Sequence, residues 1–324
     1  MKRLILSVVA LVFLPFGFAQ TLKASHQWPQ GDIRDQMVQL IKKEVEAADV
    51  GIEIRMFPGG SLFDAREQWE AVVQGQLDIT ALPLDYASGD HPEFSATLMP
   101  GLVKSYDHAQ RIDESAFMDR IEEIINEAGV MVLADTWLAG GFTSADNCIL
   151  VPEDIQGQNY RAAGPYFEKM LVGAGASIVS MPSSEAYTAL QTQVIDGLNT
   201  SDASFLSYRI YEQVKCLTPS GDNALWFMYE PILMSQRSFD RLEPEQQEAL
   251  VAAGQKARTF AYEESQKLEE RLIQTFEDNG VEVNEMSKEQ WQQWIDLAEE
   301  TAYADFVNEV EGGQELIDLA RQVQ

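Results

Sequence analysis

Apolar positions change their period repeatedly along this chain. A short strand reads over 22–25, and Ile33, Met37, Leu40, Ile41 and Val45 then recur at the spacing of one helix face. Ile52, Ile54 and Met56 alternate with polar residues as a half-buried strand does, and Pro58-Gly59-Gly60 breaks it. Trp69, Val72 and Val73 share a face of the next helix, which stops near Gly75, and 77–84 reads as a strand. Ile121, Ile124 and Ile125 mark a helix ended by Gly129, with the strand VMVLADTW behind it.

The second half repeats this rhythm. GFTSADNCILV is extended, QNYRAAG is a short strand, and PYFEKMLVGAG is a helix with Pro165 in its first turn, where proline is favoured. SIVSMP is a strand, and Ser183 or Ser184 caps a helix over EAYTALQTQVIDG. After VKCLT, the segment LWFMYEPILMS is strand-like, and from Pro244 onward nearly everything is helix. Ser287 and Gln290 fit a capping box. Alternating strands and helices imply parallel sheets covered on both faces. Two such runs, with no Ser/Gly linker and no fixed-period repeat, predict an α/β chain of two lobes joined by crossing strands.

Lys2 and Arg3 precede an uncharged apolar stretch over 4–18, with Gly17 and Ala19 placed as small residues before a cleavage point. This is the pattern of a secretory signal peptide, 1–19, cleaved near Ala19. The stretch is shorter than the roughly 20 residues that span a bilayer, and Pro15 interrupts it, which weighs against an anchor. Export sets the redox context for Cys148 and Cys216, the only two cysteines. A disulfide and two buried free thiols are both open readings.

Charge narrows the partners. With 52 Asp+Glu against 23 Lys+Arg in 324 residues, the formal net charge is -29, which repels nucleic acids and anionic membranes. A 45% hydrophobic content still supplies a core, so disorder is excluded as the main state. Enzyme signatures are missing: there is no GxSxG, Walker A loop, GxGxxG, CxxC or HExxH, and no catalytic residue, cofactor or metal is expected. His91 and His108 read as surface histidines.

Arg161 stands out against this background. It is a cation in a strand-like segment of a very acidic chain, with Ala162 and Ala163 leaving room beside it. A guanidinium so placed binds a ligand carboxylate through two parallel hydrogen bonds, or else forms an internal salt bridge. Pattern alone leaves both open.

The chain resembles the solute-binding proteins of tripartite ATP-independent periplasmic (TRAP) transporters, of the dicarboxylate type. The resemblance covers essentially the whole mature chain. It rests on FPGGSLF at 57–63 and GQLDIT at 75–80, then on EDIQGQNYR with Asp154, Gly157 and Arg161. It continues through GAS at 175–177 and SEAYTALQTQVIDG at 184–197. It implies a two-lobed periplasmic binding-protein fold with crossing strands and a long C-terminal helical segment. The expected lobes are 20–138 plus about 227–266, and 139–226 plus about 267–324.

The resemblance also implies that Arg161 pairs with a ligand carboxylate and that the segment after Asp196-Gly197 lines the cleft, which makes Asn199 and Thr200 candidates. Gln27 and Trp28 follow the first strand, whose end is where open α/β sheets bind ligands. Trp226 lines the cleft or fills the core. The implied partners are a small organic anion and a membrane permease, with the protein a periplasmic monomer. The alternative is a sensory protein signalling to a receptor kinase. Some relatives use a second arginine about twenty residues before the first, whereas 140–146 is GGFTSAD, without a basic residue. Phe63 and Gln193 stand where relatives often carry glycine.

Overall fold

In a computed structural model, residues 20–221 and 224–323 are described. The signal segment and its cleavage point lie outside them. Among the described residues no helix is long and apolar enough to cross a membrane.

The fold is two-lobed α/β, and each lobe is organised by one sheet. In the first, β1 (Gln20–Ser25) lies between β2 (Ile52–Phe57) and β3 (Ile79–Ala81), both parallel to it. β4 (Val130–Ala134) forms the far edge. In the second, β5 (Trp137–Ser144) is central and all eight of its residues are buried. β6 (Asn159–Arg161), β7 (Ser177–Ile178) and β8 (Gly197–Ser201) lie to one side. β9 (Cys216–Thr218) and β10 (Trp226–Tyr229) share the other edge of β5. β11 (Ile232–Ser235) returns to the first sheet between β3 and β4, and β12 (Glu282–Val283) extends the second beside β9.

The sheets are mixed, which corrects the expectation of parallel ones. β11 runs antiparallel to β3 and β4, and β5 runs antiparallel to β8, β9 and β10. Topology supplies the reason. A strand that returns from the second lobe enters the first sheet from the opposite end, so it must run against its neighbours. The apparent single strands VMVLADTW and LWFMYEPILMS each divide where the chain crosses. One crossing is Asp135-Thr136 and the other Glu230-Pro231, and Glu230 N donates to Thr136 O at 2.8 Å, tying the two together.

Close packing within the second sheet depends on Gly140. A Cβ there would lie 2.0 Å from the Thr200 carbonyl oxygen and 2.6 Å from the Trp226 ring, so only glycine lets β8 and β10 flank β5 this tightly. The expected helix over 185–197 is shorter. It starts as a 3-10 turn, Ser183–Glu185, continues as Ala186–Gln191, and has no serine side-chain cap. The helix turns out of Gln191 through Gln193, which sits at φ 58°.

The long helix Pro244–Ser265 packs on Ile33–Ala47 and β4, behind both crossings. The helices that follow Ser287, whose capping box with Gln290 is present, touch both Pro165–Gly173 and Ala116–Glu127. Cys148 and Cys216 form a disulfide with Cα atoms 5.1 Å apart, which settles the open reading of the pair.

Candidate functional site

Arg161 closes β6, whose pairing with β8 sets it opposite Leu198. Its side chain has no solvent exposure. Nε donates to Met181 O, one Nη to Asn199 O and the other to the Tyr86 hydroxyl, each at 2.9 Å. All three acceptors are neutral. Among the described residues no carboxylate lies within ion-pair distance of it, so the internal salt bridge is not formed. A fully buried cation without a counter-ion is costly, and such a charge is found where an anion completes it.

Unpaired neutral groups also occur among the other buried candidates. Neither amide atom of Asn199 nor of Gln27 has a hydrogen-bond partner among the described residues, and both side chains are buried. Trp226 Nε1 is likewise unpartnered, while the next residue, Phe227, points to the opposite face and stacks edge-on with Tyr106. Thr200 is buried beside Asn199. Gln27 and Met181 both line an opening of about 510 Å³ between the lobes, together with Arg66 and Ser180. The sequence candidates Arg161, Asn199, Thr200, Gln27 and Trp226 are thus all buried, with Gln27 lining the opening between the lobes and Arg161 bonded across the lobe junction to Tyr86.

Trp28 is buried too, but its indole is committed to a second arginine. Arg34 lies 3.9 Å over the ring, and Trp28 Nε1 donates to Ser204 Oγ at 3.3 Å. Arg34 pairs with Asp32 through Nε at 2.7 Å and Nη2 at 2.6 Å, and with Glu230. It also donates to Ser201 and Ser204 Oγ, each at 3.1 Å. Burial works against the Arg34 charge, but Asp32 and then Glu230 outweigh it and hold the guanidinium more firmly protonated than usual. Burial likewise pushes Glu230 up, with Arg34 opposing.

Several of these contacts bridge the lobes. Tyr86, in the 3-10 turn after β3, accepts from Arg161 and from Ser183 N at 3.1 Å. Arg66 donates to Ser180 Oγ at 2.9 Å. Arg34 of the first lobe reaches Ser201 and Ser204 of the second. The two lobes are therefore in direct contact through these residues. Beside Tyr86, Asp85 is buried against Gly164, and its Oδ2 lacks a partner. Burial pushes its carboxyl up to about 7; the nearby Ser95 hydroxyl, which stops short of hydrogen-bond geometry, only partly offsets this.

His108 corrects the surface reading: it is 7% exposed, takes Lys104 N on Nδ1 and faces Val323 O. His26 is buried against Asp35 at 3.2 Å. Among the described residues no group of three or more His, Cys, Asp or Glu is arranged to hold a metal ion. A second depression of about 500 Å³ is lined by Tyr106, Trp137, Arg258 and Tyr262 and includes none of the residues around Arg161.

Sequence reasoning missed Tyr86, Asp85, Arg34 and Glu230. Arg34 was hidden in a helix read only by its apolar face, and Tyr86 in a loop without periodicity. The one available signal was a charged Glu230 between two wholly apolar runs.

Residues 24–309 match the family described as bacterial extracellular solute-binding protein, family 7 (DctP). A solute-binding protein of Albidiferax ferrireducens is 36% identical over 319 residues, covering 95% of this chain and 94% of the relative. A TRAP periplasmic solute-binding protein from Rhodoferax ferrireducens, solved with bound malonate, superposes with a TM-score of 0.90 at 35% identity, covering 93% of this chain and 98% of that one. The C4-dicarboxylate-binding periplasmic protein DctP of Shewanella loihica is 24% identical over 304 residues, 92% of this chain and 88% of the relative. This chain belongs to the DctP family of extracytoplasmic TRAP solute-binding proteins.

Proposed function

We propose that the protein captures a small organic acid between its lobes, with the ligand carboxylate on Arg161, and delivers it to the membrane permease of a TRAP transporter. The observation that carries this reading is a fully buried guanidinium whose partners are all neutral. The malonate bound by the Rhodoferax ferrireducens relative supports the ligand class.

In this reading the open lobes expose Arg161 to solvent. The acid binds, the lobes close about Asp135-Thr136 and Glu230-Pro231, and water leaves. Loss of water strengthens the charge-assisted bonds. Asn199, Thr200, Gln27 and Trp226 complete the cleft. The moving bodies are 20–138 plus about 227–266 and 139–226 plus about 267–324. The chain acts as a periplasmic monomer after cleavage near Ala19. Replacing Arg161 with Ala removes one partner of a buried ion pair and should weaken binding by about 2–5 kcal/mol. Calorimetry with malonate, and with the acids that most raise the melting temperature in a panel, is the measurement. Unchanged affinity in the Ala variant would sink the assignment.

A further inference from the structure

We propose that the closed cleft is built for a monocarboxylate whose other end is a neutral hydrogen-bonding group (amide, lactam or hydroxyl), and that it selects against a second carboxylate. This rests on the reading of Arg161 as the carboxylate anchor and goes on to specify what the rest of the ligand must be.

The donor count comes first. A guanidinium has five N–H groups. Arg161 spends three, on Met181 O, Asn199 O and the Tyr86 hydroxyl. One N–H remains on each Nη, the number a single carboxylate takes when it binds end-on through both oxygens. Arg34 has none left. Its Nε meets Asp32, its Nη1 meets Ser201 and Glu230, and its Nη2 meets Asp32 and Ser204.

The charge count agrees. Arg34 and Arg161 are the buried arginines among the described residues, and no described lysine is buried. Arg34 already faces two carboxylates, Asp32 and Glu230. His26 faces Asp35. Arg161 is thus the one buried cation there with charge to spare, and the first ligand carboxylate uses it. A second carboxylate would find no uncommitted buried arginine or lysine among the described residues, since Arg34 is already matched by Asp32 and Glu230. Burying an unmatched carboxylate is expensive. The groups left over are neutral. Both amide atoms of Asn199 and both of Gln27 are buried and unpartnered, offering paired donors and acceptors. Arg66 is an exposed cation at the mouth, where it donates to Ser180 and lies 5.9 Å over the Tyr86 ring, so water screens much of its charge.

Matched acids test this directly. Malonate against malonamate, and succinate against succinamate, differ only in replacing one carboxylate by an amide. Lactam and 2-hydroxy monocarboxylates extend the set. Titration calorimetry should find the neutral-ended acids at least about tenfold tighter than the diacids of the same length. Diacids that bind as tightly or more tightly overturn the inference, most clearly if Arg66→Ala then removes their advantage. Failure of every neutral-ended acid to bind overturns it as well. Arg161→Ala run alongside separates the two levels. Diacid binding that depends on Arg161 leaves the anchor standing and removes only the selectivity, whereas binding that ignores Arg161 removes both.

Discussion

Tyr86→Phe deletes one oxygen and tests whether closure is held from inside the cleft. The hydroxyl accepts from Arg161 Nη2 at 2.9 Å and from Ser183 N at 3.1 Å, and both donors belong to the opposite lobe. In an open form water serves all three groups, so the loss falls on the closed form alone. A hydrogen bond to a charged group contributes about 1.5–3 kcal/mol and a neutral one about 0.5–1.5 kcal/mol. Tyr86 is only half-buried, and water recovers part of this. A net loss of about 2 kcal/mol is therefore expected, or roughly a 30-fold rise in Kd where binding requires closure. Calorimetry with the best acid from the panel measures the affinity, and small-angle scattering measures the closed fraction. Wild-type affinity within threefold, together with an unaltered scattering curve, would refute the reasoning.

Other consequences are local. The Cys148–Cys216 bridge closes a separation of 68 residues, for which chain entropy predicts about 4 kcal/mol; urea denaturation with and without reductant, or of a double Ser variant, should show a drop of that order. Gln193 holds φ 58°, a conformation that costs a non-glycine residue about 1–2 kcal/mol, while glycine pays about 0.4–1 kcal/mol in the unfolded chain. Gln193→Gly should therefore gain roughly 0.5 kcal/mol, and a lowered melting temperature would contradict this. Asp85, raised by burial from 3.8 to about 7, keeps its proton in the fold over a range where the unfolded chain has lost it. Stability must then fall as pH rises from about 4 to 7, by at most about 4 kcal/mol from this group. Asp85→Asn should flatten that part of the melting-temperature profile, and a profile parallel to wild type would count against it.

What could be read in advance follows from the range of each signal. The helix at 33–47 was legible because its apolar positions repeat within a few residues, the one at 165–173 carried Pro165 in its first turn, and 244–265 was read only as part of a helical stretch from Pro244 onward. Gln27 became a candidate because it follows the first strand, whereas Arg161, at the end of β6, and Asn199, in the middle of β8, were singled out as ligand contacts by the family resemblance. Tyr86 meets Arg161 from 75 residues away, and Arg34 meets Ser201 and Glu230 across 167 and 196 residues. No window of sequence contains such pairs. The run LWFMYEPILMS showed its burial clearly, but not that Glu230 leaves it to bind Arg34 while the strand changes sheets. Burial is a local property of composition, whereas direction in a sheet is set by the route the chain takes between lobes.

That distinction also governs the charge. A formal -29 opposes an anionic ligand at long range. Most of that charge stands in water, where salt confines each field to roughly 8 Å at physiological ionic strength. Inside the junction the balance is different in kind. The charges there are few and hardly screened, and Arg34 is already spoken for by Asp32 and Glu230. One unmatched guanidinium in that setting outweighs many solvated carboxylates, because Coulomb energy scales inversely with the local dielectric. On the proposed reading, then, the acidic surface slows the approach of an acid and the buried arginine decides how long it stays. Raising ionic strength should accordingly speed association more than it changes dissociation, which stopped-flow fluorescence of the wild type can measure; an association rate that falls with salt would mean the outer field attracts the ligand after all.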